Sequence, residues 1–252
     1  MSEKAVSAAG YHVIWGSGYI GEVVDPVIPK ETRNMVDNST HDALAANGGV
    51  ETKSIGTISQ AEGSVKIYYI GTTVHKALLT DFKAGTEREC WFIRPSKGNL
   101  TGTAKKCTAV ISSMDEPIDK KGLVTWQMAI TPTSEMTEVD TAAAGLTTPF
   151  FVISDDDTPT PNVITPVPAA AAATYAYDVE LYSDNTMFTI TPTATVGTIY
   201  VDNILVASGA ASGAITAPAQ GTKIYIPIVV HETGKTPKPY LLRVRKGYVA
   251  HP

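Results

Sequence analysis

Histidine, cysteine, clustered cations and long apolar runs are all scarce in this chain, and each scarcity removes a class of function. The five histidines are scattered, and no Gly-x-Ser-x-Gly, His-Glu-x-x-His or Cys-x-x-Cys pattern occurs, so neither an activated nucleophile nor a zinc site announces itself. The expectation is a protein that is not an enzyme, with no catalytic residue, cofactor or metal. Two cysteines, Cys90 and Cys107, fall in separate predicted strands. They could pair if those strands are neighbours, but buried free thiols are the expectation. Twenty Lys and Arg stand against twenty-five Asp and Glu, a net charge of −5, which argues against a grip on nucleic acid. No apolar run reaches the length of a membrane span, so no membrane partner is expected. The opening MSEKAVSAAGYHVIWGSGY lacks the apolar core of a secretion signal, so the chain is expected to be made and left in a cytosol.

What is present reads as strand. Leucine is sparse, while Thr, Ala, Val and Gly are frequent. The stretch Lys53–Pro95 organises the first part of the chain. IGTISQ, VKIYYIG and the run into Cys90–Arg94 have strand chemistry, with a turn at AEGS between the first two. Between the last two, Val74, Leu78 and Phe82 fall four apart and predict one short helix, capped by Thr72 or Thr73 and ended by Gly85. Such a helix must bury its apolar face on a sheet built from the neighbouring strands. Further strands are predicted over Thr103–Ser112 and Leu123–Thr131, with alternating faces as in a half-buried antiparallel sheet.

Three patterns invite chemistry. Gly16-Ser17-Gly18-Tyr19-Ile20-Gly21 follows a predicted strand at Tyr11–Trp15, but Pro26 and Pro29 forbid the helix that a dinucleotide pyrophosphate needs. Val36–Ser54 is a long polar loop holding His41 and Asp42, and a lone His-Asp pair there reads as solvated surface. Asp155, Asp156 and Asp157 lack the glycine and distal glutamate of a calcium loop. They open an acidic, Pro- and Ala-rich stretch, 155–174, that reads as an extended linker and the preferred site of proteolysis. From Tyr175 onward, strands recur at short intervals, including YAYDVELY, MFTITPTA, TIYVDNILVA, KIYIPIVVHE and YLLRVRKGY. The fold class is therefore all-β dominated. A sandwich or barrel with one packed helix spans 1–154, and a small immunoglobulin-like sandwich spans 175–252.

GTISQAEGSVKIYYIGTTVHKALLTDFKAGTERECWFIRP, followed by CTAVISSMDEPIDKKGLVTWQMAITPTSE, resembles the major tail (tail tube) proteins of long-tailed bacteriophages over roughly residues 10–150. The likeness rests on Phe82-Lys83-Ala84-Gly85 ending the helix, on the Pro117-Ile118-Asp119 turn, and on the segment Asp37 to Asp42, similar to the start of that family's long loop. Residues 175–248 are similar to cadherin-like or immunoglobulin-like modules appended to phage tail proteins, through Phe188–Pro192 and Tyr240–Arg245.

The resemblance implies a structural virion protein that forms hexameric rings stacked into a tail tube, assembled in the host cytoplasm and carried in the virion tail. It implies a homo-oligomer whose further partners are the tape measure, tail terminator and distal tail proteins, with DNA passing through and not specifically bound. The loop would contact the next ring, which makes Asp37, Asn38, Thr40, His41, Asp42, Asn47 and Glu51 candidate contact residues. Residues 1–154 hold fourteen Lys and Arg against seventeen Asp and Glu, a balance that suits a wall to which DNA does not stick. The rival reading is an extracellular adhesive or glycan-binding protein using Trp15, Trp91 or Trp126 as stacking platforms. The second module is expected to hang outside on its tether.

Overall fold

The computed structural model of the protein describes residues 12–23, 27–37, 53–68, 73–93, 104–116, 125–155, 162–171 and 174–248. They are mostly β-strand, with one helix among them, as the composition requires. The first strands are β1 (His12–Trp15) and β2 (Gly18–Glu22), joined by Gly16 and Ser17. Gly16 has φ +60°, the left-handed first position of a tight hairpin turn. The glycine pattern is therefore a hairpin, with no helix behind it.

Next come β3 (Glu31–Asp37), β4 (Lys53–Gln60), β5 (Gly63–Tyr68) and helix α1 (Thr73–Ala84). The helix ends as its sequence predicts. Gly85 sits at φ +61°, the Thr86 amide reaches the Asp81 carbonyl at 3.0 Å, and the Gly85 amide reaches that of Phe82 at 3.3 Å, the paired bonds of a glycine-terminated helix. The expected turn at AEGS joins two strands that do not pair with each other: β4 pairs with β3, and β5 pairs elsewhere. Gly63 is needed where they part. A Cβ there would lie 2.6 Å from Pro29 Cδ and 2.7 Å from the Val27 carbonyl oxygen, the segment that crosses it.

Strands β6 (Arg88–Ile93), β7 (Ala104–Asp115), β8 (Thr125–Pro132) and β9 (Thr137–Val139) complete a seven-stranded sheet ordered β2-β1-β6-β7-β8-β5, with β9 beside the start of β7. Bridges Val23↔Ile67 and Val27↔Ser64 bring the two ends of that order together, so the sheet curls almost into a barrel. Inside the curl, Val74 and Leu78 of α1 pack with Val13, Trp15, Cys90, Phe92, Trp126 and Met128. Asp81, also buried, ties helix to sheet. Its carboxylate accepts Trp15 Nε1–H at 2.9 Å and the Arg88 guanidinium at 3.0 and 3.1 Å.

The second unit is a two-sheet sandwich. One sheet holds β11 (Val163–Ile164), β10 (Phe151–Asp155), β13 (Met187–Pro192) and β16 (Ile215–Thr216) in that order. The other holds β12 (Ala176–Leu181), β18 (Lys238–Lys246), β17 (Lys223–His231), β14 (Thr198–Val201) and β15 (Ile204–Val206). Phe151, Ile153, Phe188 and Ile190 face Tyr177, Ile228, Tyr240 and Leu242 across one core. TIYVDNILVA, read as one strand, is a hairpin, because Asp202 and Asn203 take φ +48° and +68° as its two-residue turn.

The boundary at 154 and the linker over 155–174 need correction. Strand β10 pairs residue for residue with β13 inside the second sandwich, and β11 pairs with β10. Even earlier, Ala142 bridges Thr236, and the Leu146 amide donates to Tyr240 Oη at 3.0 Å. Within the supposed linker, Ile164 is buried and Tyr177 Oη donates to the Thr174 carbonyl at 2.7 Å. Proline content suggested an open tether. The alternation of Phe151, Ile153 and Asp155, all buried, was the stronger signal.

A chain ending at Ser154 therefore keeps most of β10 without its partner β13. It is expected to aggregate, or to melt well below the full chain in a thermal scan. Phe151 and Ile153 alone forgo about 1.5–3 kcal/mol of burial each. A soluble fragment as stable as the whole would show that the second unit contributes nothing to the first.

Candidate assembly surfaces

Two surfaces matter: one where the units of a single chain meet, and one that is left without a partner. The first is a sheet-on-sheet contact. Ile14, Tyr19, Trp91, Ile93 and Ala104, on the outward face of the curled sheet, pack against Val229, with Leu241 and Val139 at the rim. Val229 and Leu241 lie on the five-stranded sheet, opposite its inner face. Helix, curled sheet, five-stranded sheet and four-stranded sheet thus form successive layers.

Polar groups finish the junction. The Asp202–Asn203 turn enters the notch between the Gly16–Gly18 hairpin and the start of α1. There Thr73 Oγ1 donates to Asp202 Oδ2 at 2.7 Å, and the Ser17 hydroxyl donates to Asn203 Oδ1. Gly18 makes room for both neighbours: a Cβ would stand 3.0 Å from Val74 and 3.3 Å from Asn203 Oδ1. Burial pushes the Asp202 carboxyl up, while the Thr73 hydroxyl and Lys76 pull it back. On the far rim the Thr236 amide donates to the Thr141 carbonyl at 2.8 Å, and the Ala143 amide donates to that of Thr236 at 2.9 Å. The expected flexible tether is replaced by a docked unit.

A cleft of about 550 Å³ remains at this rim, lined by Glu89, Trp91 and Lys106 on one side and by Thr198, His231 and Glu232 on the other. Its ionic groups are already engaged. Lys106 pairs with Glu89 at 3.1 Å, and Glu232 pairs with Lys235 at 2.5 Å. Lys106 Nζ also lies 5.0 Å over the Trp91 ring. Trp15, Trp91 and Trp126 are 4%, 3% and 2% exposed, so none is a stacking platform and the glycan-binding reading loses its residues.

The partnerless surface is the arm formed by β3 and β4. Their register runs from Glu31↔Gln60 to Asp37↔Lys53, with an irregularity between Arg33 and Met35. The two strands are a sheet of their own, so both outer edges lack a ladder partner among the described residues. The arm is tied at its base, where the Ala61 amide donates to the Lys30 carbonyl at 2.8 Å. Of the seven candidate contact residues, Asp37 closes β3 opposite Lys53. Asn38, Thr40, His41, Asp42, Asn47 and Glu51 lie outside the described residues. The loop read over Val36–Ser54 is thus flanked by a paired hairpin, which its polar sequence did not reveal.

The remaining candidates resolve simply. Cys90 and Cys107 stand directly opposite each other in β6 and β7 as free thiols, and burial raises both, Cys107 to about 11. Asp155 accepts the Asn162 amide at 2.6 Å. Asp156 and Asp157 lie outside the described residues. Among the described residues no group of three metal-ligating side chains occurs.

Two expectations follow from the junction. Val229→Asp would bury a carboxylate with no partner, and should cost about 2–4 kcal/mol in denaturant unfolding; an unchanged midpoint would mean that the units do not dock. The second concerns His12, whose Nδ1 lies 2.6 Å from Tyr19 Oη and which burial brings down from 6.5 to about 4. Between those values the unfolded chain takes up a proton that folded His12 refuses. Stability is therefore intact above about pH 6.5 and falls towards pH 4, by roughly 3 kcal/mol. Burial lowers His75 and His231 as well, adding in the same sense. Chemical unfolding at pH 7 and pH 4.5 measures the slope, which His12→Gln should reduce.

No family model and no curated protein matches the chain. Among solved structures, it is similar over 52% of its length to a chain in the virion of a native gene transfer agent particle, with 14% identity, 95% of that chain covered and a TM-score of 0.37. The same share is similar to a chain in the tail of an empty gene transfer agent particle of C6 symmetry, with 16% identity, 94% coverage and a TM-score of 0.37. It is likewise similar to a chain of the SPP1 tail tube, with 15% identity, 76% coverage and a TM-score of 0.32.

Proposed function

We propose that this chain is a structural protein of a phage-type tail, which self-assembles into hexameric rings stacked as a tube through which DNA passes. The observation that carries the reading is the arm. An isolated two-stranded hairpin is marginal in water, and unpaired strand edges are templates for another chain. The eight residues of β4 extend for about 26 Å. A second copy of the same chain is the simplest partner, and rings close such edges without leaving a free end.

Other features agree. The helix with its Phe82–Gly85 ending and the strands after it are the elements on which the resemblance to tail tube proteins rests. The tape measure, tail terminator and distal tail proteins would meet the finished tube, and the virion tail would be its location.

The test compares the full chain with one in which Asn38–Thr52 is replaced by a short Gly-Ser link. Light scattering and electron microscopy should show rings or tubes from the first, and only folded monomers or single rings from the second. Shortening a loop changes closure entropy little, so its melting temperature should stay close to that of the full chain. Tubes from the shortened chain would show that residues 38–52 are not needed for assembly, and a full chain that stays monomeric at high concentration would reject the reading.

A further inference from the structure

Among the described residues, the second unit lies on one side of the curled sheet, at β1 and β6. Around the curl the order is β2, β1, β6, β7, β8, β5, and the bridges at Val23 and Val27 close it. In a closed order of six, β8 stands opposite β1 and β5 stands opposite β6. The second unit covers the outward side chains of β1 and β6, namely Ile14, Trp91 and Ile93. On the opposite side, Ser113, Asp115 and Gln127, on the outward faces of β7 and β8, are exposed, whereas Thr125 at the start of β8 is buried.

Register fixes what that face displays. Ser64, Ala129 and Ser113 form one row across the three strands, and Lys66, Gln127 and Asp115 form the next. Gln127, Ser113 and Asp115 are exposed, whereas their neighbours Met128 and Ile130 point into the core. Beyond the first row, the Glu62 carboxylate accepts the hydroxyl of Ser112 and, at 2.9 Å, that of Thr131. Both hydroxyls hold Glu62 below its ordinary pKa, so it stays ionised. Among the described residues the face is polar, and its one lysine, Lys66, is offset by Asp115 and Glu62.

We infer that this face of β5, β8 and β7 is the bore-lining wall of the assembled ring, facing duplex DNA in transit. The inference rests on the tail-tube reading and adds which residues the DNA meets. Two observations support it. The arm springs from β5 itself, at Gln60 and Ala61, so copies joined through their arms are joined along the margin of this face. The second unit lies on the opposite side, where a body of its size does not obstruct the channel. A wall without an excess of cations releases few counterions to DNA and so does not hold it. The five-stranded sheet of the second unit, with Arg243 and Arg245 on β18, is less suited, although both are paired with carboxylates.

Cysteine accessibility in assembled tubes of the full chain tests the assignment. Gln127→Cys and, separately, Ser113→Cys probe the face, and Thr216→Cys, exposed on the outermost sheet, serves as the control. The native Cys90 and Cys107 are buried and unreactive. Each tube is treated with a small maleimide and with the same group on a long polyethylene glycol. The expected result is that the small reagent labels all three positions, while the polymer labels Thr216→Cys and loses nearly all reaction at the other two. Equal polymer labelling at every position would put the face outside and overturn the inference, leaving the tube reading intact. No labelling by either reagent at Gln127→Cys and Ser113→Cys, or failure of both variants alone to assemble, would make the face a contact between copies and overturn it as well. If the unmodified chain forms no tubes, the tube reading fails and the inference falls with it.

Discussion

Burial of the β1–β6 pair on both faces is the constraint from which the rest of the arrangement follows. Ile14 stands opposite Trp91, and Val13 opposite Phe92, in a short antiparallel ladder. Val13, Trp15, Cys90 and Phe92 meet α1 and the interior of the curl, while Ile14, Trp91 and Ile93 meet the second sandwich. Neither face is offered to water. Such a pair forces a layer on each side, and the chain supplies both. The Asp81 carboxylate, shared by Trp15 and Arg88, fixes the helix on the inner side with its charge satisfied.

The outer layer is fixed by different means. Val229 supplies the apolar contact, the Asp202–Asn203 turn provides registration in the notch at Gly18, and the backbone around Thr236 zips the connection. Three separate anchors resist rotation about any one of them. The second unit is therefore an integral layer, and its direction relative to the curled sheet is set within the monomer, before any assembly. Each copy of the chain therefore carries the second unit on the same side of the curled sheet.

Most strand edges are used up inside the chain. Both edges of β7 are paired, with β6 on one side and with β8 and β9 sharing the other, and the ends of the curl meet through single bridges. Against that background the arm of β3 and β4 stands apart, with neither outer edge paired among the described residues.

The sequence by itself determined what depends on neighbours along the chain. The spacing of Val74, Leu78 and Phe82 with Gly85 defines the helix and its end, the alternation along β8 assigns its faces, and Pro26 and Pro29 reject the nucleotide pattern, because periodicity and backbone sterics act within a few residues. It also carries a second signal. Val13-Ile14-Trp15, Cys90-Trp91-Phe92-Ile93 and Ile226 to Val230 are unbroken apolar or buried runs where a half-buried strand would alternate, which is how burial on both faces is written. Tertiary structure alone decided that β4 pairs with β3 and leaves β5 to β8, that β10 belongs to the second sandwich, and that Asp202 caps a notch made by Ser17 and Thr73 more than a hundred residues away. Strand pairing and docking are set by which distant surfaces exclude water together, and that choice compares whole faces and has no period to read along the chain.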